Sequence, residues 1–400
     1  MILTLLRFIV TTLAWFAAFA LFVLSPAIGS ISSIIAVVLM LLLTPTIFLR
    51  GSWTSLKAQP ANLLFVVAFA LLTICFALTQ QQPSDVLLAA DFLALLLVPV
   101  VYLLAVRRPG ARTIAILAAL LALGAFVGAL TASYDVFVQH FERAIGWGSG
   151  GNLMARSVVP LGFMALSGVF AVRSRWRWLY LLGPAFGLYA LVLTQTRGVF
   201  VAAPILALIF VWALMRELRA PRAWYLAGVV FVVAAIGAAA VASPRFLAVS
   251  AVWEQIQNGQ ARISDYGTLQ RIQMWGVGWG AFLKRPLFGW GWAHLHDAAL
   301  PYELSMYHND FFNIAVAAGV VGIACWLAVL AAPLIGVALM PKDRFATLRL
   351  YCVLILSVSF FIFGLTDLTF GYDLPTTLYA FMTAVVLGAF REKDAALNPA

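Results

Sequence analysis

Apolar runs of about 17 to 25 residues recur along the whole 400-residue chain, and this repetition limits the folds open to it. A helix needs roughly that many residues to cross about 30 Å of hydrocarbon, because each residue adds about 1.5 Å. Backbone polar groups at that depth must be satisfied inside the helix itself, which excludes open sheets. The sequence therefore predicts an all-α integral membrane protein, a single polytopic domain over residues 1–400.

The runs predict about twelve transmembrane helices, which puts both termini on the same side. Hydrophobic residues make up 64% of the chain and charged residues only 10%, so a soluble globular domain is excluded. The first run is predicted to be a retained helix, because no small-x-small cleavage site follows it. The approximate spans are 8–24, 31–49, 61–79, 86–106, 112–131, 153–172, 178–194, 199–215, 224–242, 311–339, 347–366 and 375–390.

The basic residues are distributed unevenly between the two sides. Positive flanks are retained in the cytoplasm during insertion, so the basic side and both termini are predicted to be cytoplasmic. Topology and anionic lipid headgroups then explain the net charge of +10, and membrane lipids rather than nucleic acid are the expected partners. The clusters are Arg7; Arg50 and Lys57; Arg107, Arg108 and Arg112; Arg173, Arg175 and Arg177; Arg216, Arg219 and Arg222; Lys342, Arg344 and Arg349; Arg391 and Lys393.

The connection between the ninth and tenth spans, residues 243–308, is the longest in the chain and is predicted to form helices of its own on the extracytoplasmic face. Arg271 and Trp275 fall at helical spacing within it. Arg271 is either an arginine that snorkels to lipid headgroups or a ligand for an anion. His294 and His296 form an H-x-H pair, but no third ligand stands at a recognisable spacing, which favours two interfacial histidines over a metal site.

Three more polar residues lie at predicted helix ends on that face. His308 directly precedes a long apolar helix, whose dipole favours a neutral imidazole able to accept a proton; the alternative is a helix cap. Arg197, between two helices, needs an anionic partner or must snorkel. Arg156, four residues after Asn152, is a weaker candidate of the same kind. Candidate partners for these arginines are Asp91, Asp367 and Asp373.

Three motifs occur in a fixed order in the second half of the chain. They are Thr196-Arg197-Gly198; Arg271 and Trp275 followed by P-L-F-G-W-G at 286–291; and H-N-D-F-F at 308–312 followed by Gly319 and Gly322. Together they resemble the O-antigen ligase family of bacterial inner-membrane glycosyltransferases, within a superfamily that includes O-antigen polymerases and protein O-oligosaccharyltransferases. The chain departs from the family where Gly151-Asn152 replaces a frequent Pro-Asn pair, which leaves the role of Asn152 open.

The resemblance implies a GT-C-like transferase that moves a preassembled glycan from undecaprenyl pyrophosphate to a sugar hydroxyl of lipid A-core, with its active site on the periplasmic face of the inner membrane. An inverting displacement without metal or cofactor is implied, with His308 as general base. Arg197 and Arg271 are implied to be catalytic and, with Arg156, to bind the donor pyrophosphate. The implied supporting residues are Asn309, Asn152 and Trp275.

Other functions remain open at this point. A polymerase or a protein O-oligosaccharyltransferase would share the donor, although a chain that ends soon after the twelfth span favours the ligase. Other membrane glycosyltransferases are disfavoured, because the first outer loop, residues 25–30, has no carboxylate and no W-W-D motif occurs. A secondary transporter fits the helix count, but its site is expected near mid-membrane, whereas the candidate residues cluster at one boundary.

Overall fold

A computed structural model describes residues 2–49, 51–148, 150–218, 266–302 and 304–392, with positions 223, 226–228 and 230. The backbone over these ranges is almost entirely helical and contains no β-strand, which confirms the predicted all-α class. Apart from positions 226–228 and 230, the predicted ninth span, 224–242, lies outside the described residues, as do residues 243–265 of the long connection. Four of the predicted cytoplasmic basic residues do so too: Arg50, Arg219, Arg222 and Lys393.

The described helices follow one another through short turns. Short π segments at Ala20–Leu24 and Tyr134–Val138, and 3-10 segments at Thr44–Phe48, Pro83–Phe92, Arg175–Leu181 and Trp292–His294, extend or join them. The α-helices are α1 (Ile2–Phe19), α2 (Ser25–Ile28), α3 (Ser30–Leu43), α4 (Ser52–Lys57), α5 (Ala61–Thr79), α6 (Leu93–Val106), α7 (Ala111–Ser133), α8 (Gly151–Ala165), α9 (Ser167–Ala171), α10 (Leu182–Thr194), α11 (Arg197–Leu218), α12 (Tyr266–Lys284), α13 (Leu295–Ala299), α14 (Asp310–Ala338), α15 (Ala346–Thr366) and α16 (Asp373–Ala389).

Ten helical segments of the described chain are long and apolar enough to cross a membrane, and α16 is a shorter apolar helix. Each predicted span apart from 224–242 overlaps one of these eleven segments. The ten are Leu5–Ile28, Ser30–Phe48, Ala61–Thr79, Pro83–Val106, Ala111–Val138, Gly151–Ala171, Arg175–Thr194, Arg197–Glu217, Asp310–Ala338 and Ala346–Thr366.

The helices meet at two opposite ends of the bundle. At one end the Gly110 amide donates to the Ala389 carbonyl at 3.0 Å, which joins the start of α7 to the end of α16. We call this the arginine end, because the predicted cytoplasmic basic clusters lie there. At the other end Ser33 Oγ donates to Asp373 Oδ2 at 2.5 Å, which joins α3 to the start of α16. We call this the histidine end, because it carries His308.

The segment Gly151–Ala171, which comprises α8 and α9, is the most buried of the ten, with 89% of its most apolar stretch inside the protein. Glycines let its backbone approach α10 closely: a Cβ at Gly162 would lie 2.6 Å from the Gly183 carbonyl oxygen, and one at Gly187 would lie 2.8 Å from the Val158 carbonyl oxygen. Close backbone packing at small residues is how helices associate in lipid, where apolar burial supplies little driving force. Helix α8 therefore lies at the centre of the bundle and supports the polar residues of the histidine end.

Helix α14 is interrupted at Gly319, whose φ of 63° and ψ of −151° are not helical. Residues 286–291, which we call the docking segment, lie against this break. The Val320 amide donates to the Pro286 carbonyl at 2.8 Å. The amides of Trp290 and Gly291 donate to carbonyls in the last turn of α14 before the break, at 2.8 and 2.9 Å. Because unpaired backbone groups within a membrane span are costly, the break persists only while the docking segment supplies these partners.

Replacement of Gly319 by alanine is expected to destabilise the protein by about 2–5 kcal/mol, through a strained positive φ and a steric clash. A Cβ there would lie 2.3 Å from the carbonyl oxygen of Leu287. Thermal unfolding in detergent measures the effect. The matched control is Gly276→Ala in α12, where a Cβ has no neighbour within 4 Å. Equal unfolding temperatures for the two variants would contradict the packing described here.

Candidate functional site

His308 occupies the turn that enters α14, with a left-handed φ of 47°. The helix cap is the next residue: Asn309 Oδ1 accepts from the Phe311 amide at 2.9 Å, and Asn309 Nδ2 donates to the Leu365 carbonyl at 3.0 Å. His308 therefore does not cap the helix, which answers the alternative left open by the sequence. A positive φ at a residue other than glycine is strained and typically persists where the surroundings require one side-chain direction.

The imidazole of His308 contacts the carboxylate of Asp367, which follows α15. His308 Nδ1 lies 2.7 Å from Asp367 Oδ1, and the His308 side chain is 34% exposed. Because an ionised carboxylate can only accept, Nδ1 must carry the proton. In the neutral form of the ring, the opposite nitrogen, Nε2, then keeps its lone pair. This arrangement of histidine and carboxylate orients a proton acceptor and stabilises the imidazolium that forms when it takes a proton.

Asp367 is itself held by several donors. Arg156 Nη2 lies 2.5 Å from Asp367 Oδ2, Asn152 Nδ2 donates to the same oxygen at 3.1 Å, and the Leu368 amide donates to Oδ1 at 2.9 Å. Burial raises the pKa of the Asp367 carboxyl, but the His308 hydrogen bond and the charge of Arg156 outweigh burial and hold that pKa well below its usual range. Asp367 is therefore a permanently charged partner for His308.

Arg156 lies beneath this pair, and not at the surface of the site. Its side chain is only 3% exposed, and besides Asp367 its guanidinium donates to the Leu368 carbonyl at 2.5 Å. The geometry suits Arg156 to orient Asp367. The predicted contact with a donor pyrophosphate stays a prediction, and it would require Asp367 to share the guanidinium.

Asp310, the first residue of α14, fastens the turn that contains Asp367. It is fully buried, and its Oδ1 accepts from the amides of Thr369 and Phe370 at 2.6 and 3.2 Å. Asp310 therefore joins the turn that carries His308 to the turn that carries Asp367, two residues beyond His308 and two to three residues beyond Asp367. In the sequence, Asp310 stands within the H-N-D-F-F motif, but no role was predicted for it.

The start of α11 packs against the same turn. Thr196 Oγ1 lies 3.4 Å from Asn152 Oδ1, and a Cβ at Gly198 would lie only 2.2 Å from Thr366 Oγ1. The small residue of the Thr196-Arg197-Gly198 motif thus allows α11 to begin beside the end of α15. Arg197 is half-buried and stands in the chain between Thr196 and Gly198. Asn152, which lies in α8, therefore contacts both Asp367 and the start of α11, and it belongs to the candidate site.

Helix α12 lies across the first turns of α14. The ring of Trp275 stacks on Phe312 with a centroid distance of 6.1 Å and an interplanar angle of 19°. Gly278 faces Tyr307, whose ring would lie 3.0 Å from an added Cβ. Arg271 lies one helical turn before Trp275 and is half-exposed. Within the described part of the chain Arg271 forms no ion pair, so its charge is available to an anion.

His294 lies between two carboxylates. Its buried ring has Nδ1 2.8 Å from Asp297 Oδ2 and Nε2 3.0 Å from Asp85 Oδ2. Burial lowers the pKa of His294, but the hydrogen bonds with Asp297 and Asp85 outweigh it and raise that pKa. The sequence did not reveal this pairing, because Asp85 is 209 residues away. His296 is exposed, whereas His294 is buried, so the two histidines of the H-x-H pair have different surroundings.

The structure thus brings His308, Asn309, Arg156 and Asn152 together around Asp367, and the chain neighbours of Arg197 contact Asn152 and Thr366. Trp275 contacts the first turn of α14, and Arg271 follows on the same helix. Asp91 and Asp373 are not arginine partners in the described residues: Asp373 accepts from Ser33 at 2.5 Å. Among the described residues no group of three or more histidines, cysteines and acids is arranged to hold a metal ion.

Comparison with known proteins agrees with the motifs. Residues 182–327 match the family described as O-antigen ligase, over about a third of the chain. The matched segment includes Arg197, Arg271 and His308, whereas Arg156 and Asp367 lie outside it. A search of curated proteins found no match. Residues 182–327 are therefore similar to a family of glycosyltransferase-like polysaccharide transferases, and the described part of the chain has ten helical segments long and apolar enough to cross a membrane.

Proposed function

We propose that the protein is an O-antigen ligase, which transfers a preassembled polysaccharide from undecaprenyl pyrophosphate to a sugar hydroxyl of lipid A-core. The observation that carries this proposal is the hydrogen bond of 2.7 Å between His308 Nδ1 and Asp367 Oδ1, which leaves Nε2 free to accept a proton. Arg197 lies within the matched segment, and its chain neighbours Thr196 and Gly198 contact Asn152 and Thr366. The basic clusters lie at the arginine end, opposite the end that carries His308, and this supports a periplasmic site in the inner membrane.

The proposed reaction is a single displacement at the anomeric carbon. The acceptor hydroxyl oxygen attacks that carbon, and His308 Nε2 takes the hydroxyl proton. The bond from the anomeric carbon to the pyrophosphate oxygen breaks, and its electron pair leaves with the pyrophosphate. Configuration is therefore inverted. The Asp367 carboxylate stabilises the resulting imidazolium of His308, and a base of this kind contributes roughly 10²- to 10⁴-fold in rate.

Arg197 and Arg271 are proposed to stabilise the leaving group. Negative charge develops on the pyrophosphate as its bond to the sugar breaks, and a planar guanidinium fits phosphate oxygens with paired hydrogen bonds. Donors that are already in position need no reorganisation as that charge forms. Arg156 is proposed to hold Asp367, and through it His308, in the orientation that exposes Nε2. Asn152 and Asn309 are proposed to hold the turns that carry Asp367 and His308, and Trp275 to pack α12 against α14.

Transfer is expected to be insensitive to EDTA, because the two arginines supply the positive charge that a metal ion supplies in many glycosyltransferases. Purified protein is assayed with a lipid-linked glycan and lipid A-core, before and after chelation. Equal rates are expected. Loss of activity on chelation, followed by recovery with Mn²⁺ or Mg²⁺, would overturn the proposed role of Arg197 and Arg271.

Expression in a bacterial strain that lacks its own ligase tests the function. Polymer-bearing lipopolysaccharide is expected with the natural chain and not with His308→Ala. The control is His296→Ala, which changes an exposed histidine outside the site and should restore the polymer. Longer lipid-linked glycan without transfer to lipid A-core would identify a polymerase, and glycan on protein would identify a protein O-oligosaccharyltransferase. Uptake of a solute that persists in His308→Ala would identify a transporter.

A further inference from the structure

A cavity of about 690 Å³ opens at the arginine end, remote from His308. Helices α1, α6 and α16 form most of its wall, and this wall is apolar. Sites of this volume hold drug-sized or lipid-sized groups, for which the usual range is about 300–1,000 Å³. Representative wall residues are Ala14, Ala18, Leu104, Phe381 and Val385.

Three arginines line the mouth of this cavity: Arg7 before the apolar part of α1, and Arg107 and Arg108 after α6. Two of these arginines form hydrogen bonds with uncharged hydroxyl groups. Arg108 Nη2 donates to Thr11 Oγ1 at 2.5 Å, and Arg107 Nη2 donates to Ser52 Oγ at 3.2 Å. No acidic side chain lines the cavity within the described part of the chain. The mouth therefore concentrates three positive charges without an internal counter-charge.

We propose that this cavity binds one anionic phospholipid from the adjacent leaflet. The phosphate would lie among the three arginines, whose planar forks suit phosphate oxygens, and an acyl chain would fill the apolar wall. Charge complementarity selects an anionic headgroup over a zwitterionic one, and the basic clusters place this end in the leaflet where anionic lipids attract them. The site is separate from the proposed transfer site, which lies at the histidine end.

Native mass spectrometry of the full chain in mild detergent tests the proposal, with phosphatidylglycerol and phosphatidylethanolamine of identical acyl chains as probes. One basic residue near an anionic headgroup strengthens binding by roughly fivefold, so the natural protein should prefer phosphatidylglycerol by at least about tenfold. The double variant Arg7→Gln/Arg108→Gln should lose on the order of tenfold or more in affinity for phosphatidylglycerol. Its affinity for phosphatidylethanolamine, whose ammonium offsets the charge of the same phosphate, should fall by a smaller factor.

The matched control is Arg175→Gln/Arg177→Gln. These arginines lie at the same end, over the rings of Trp176 and Trp178, and do not line the cavity. The control should keep the preference of the natural protein. A second variant, Ala14→Trp, fills the apolar wall and should weaken binding of both lipids. Equal binding of the two lipids by the natural protein, equal losses in both double variants, or an unchanged affinity in Ala14→Trp would overturn the proposal.

Discussion

Replacement of His308 by glutamine is expected to lower the rate of glycan transfer by roughly 10²- to 10⁴-fold, because the reaction loses its proton acceptor. Glutamine is of similar size and remains polar, so the turn into α14 should be retained. Purified protein is assayed with a lipid-pyrophosphate glycan and lipid A-core, and the product is resolved by size. The thermal unfolding temperature of the same preparation shows whether the fold is retained. Full activity in a folded variant would remove the proposed mechanism.

Asp367→Asn tests the same pair from the other side and should reduce the rate by a comparable factor. The amide Nδ2 can donate to His308 Nδ1, which moves the imidazole proton to Nε2 and blocks the acceptor position. The control is Asp373→Asn at the same end of the bundle, where the carboxylate accepts from Ser30 and Ser33. Control activity should stay within about threefold of natural. Equal losses in both aspartate variants would indicate a general effect of buried charge.

Replacement of Arg271 by alanine is expected to lower kcat/KM by roughly 10²- to 10³-fold, the effect of removing one well-placed donor to a developing anion. Arg271→Lys should recover only part of the loss, because an ammonium cannot make the paired contact of a guanidinium. Steady-state kinetics over a range of donor concentrations measure both variants. Lys284→Ala, exposed at the far end of α12, is the control and should leave kcat/KM unchanged. If Arg271→Ala keeps full kcat/KM, the residue only anchors α12 to lipid headgroups.

Most of the helical framework could be predicted because it depends on local hydropathy. The site could be predicted only in part, since motif residues such as His308 stand at helix ends that a sequence reveals. Asp367 was recognised only as a partner for arginines. Its contact with His308 joins residues 59 positions apart and depends on how α14 and α15 pack, which no local pattern encodes.

The break at Gly319 was hidden for a related reason. A glycine inside a long apolar run is compatible with a continuous helix, so the sequence predicted one uninterrupted span over 311–339. Residues 286–291 follow the end of α12 and contain one proline and two glycines, which interrupt helices. Their pairing with Gly319 depends on tertiary structure. The apolar run of α14 continues past the break, so hydropathy alone does not reveal it.

The join between the docking segment and α14 has a consequence for how this protein can diverge. Its three hydrogen bonds run between main-chain groups, and the two glycines at the closest approach contribute no side chain. Neighbouring side chains in this region can therefore be exchanged without altering the alignment of α12 with the start of α14. On the proposed function, substitutions could change the surface around Arg271 and His308 to suit other glycans while the spacing between these two residues is kept.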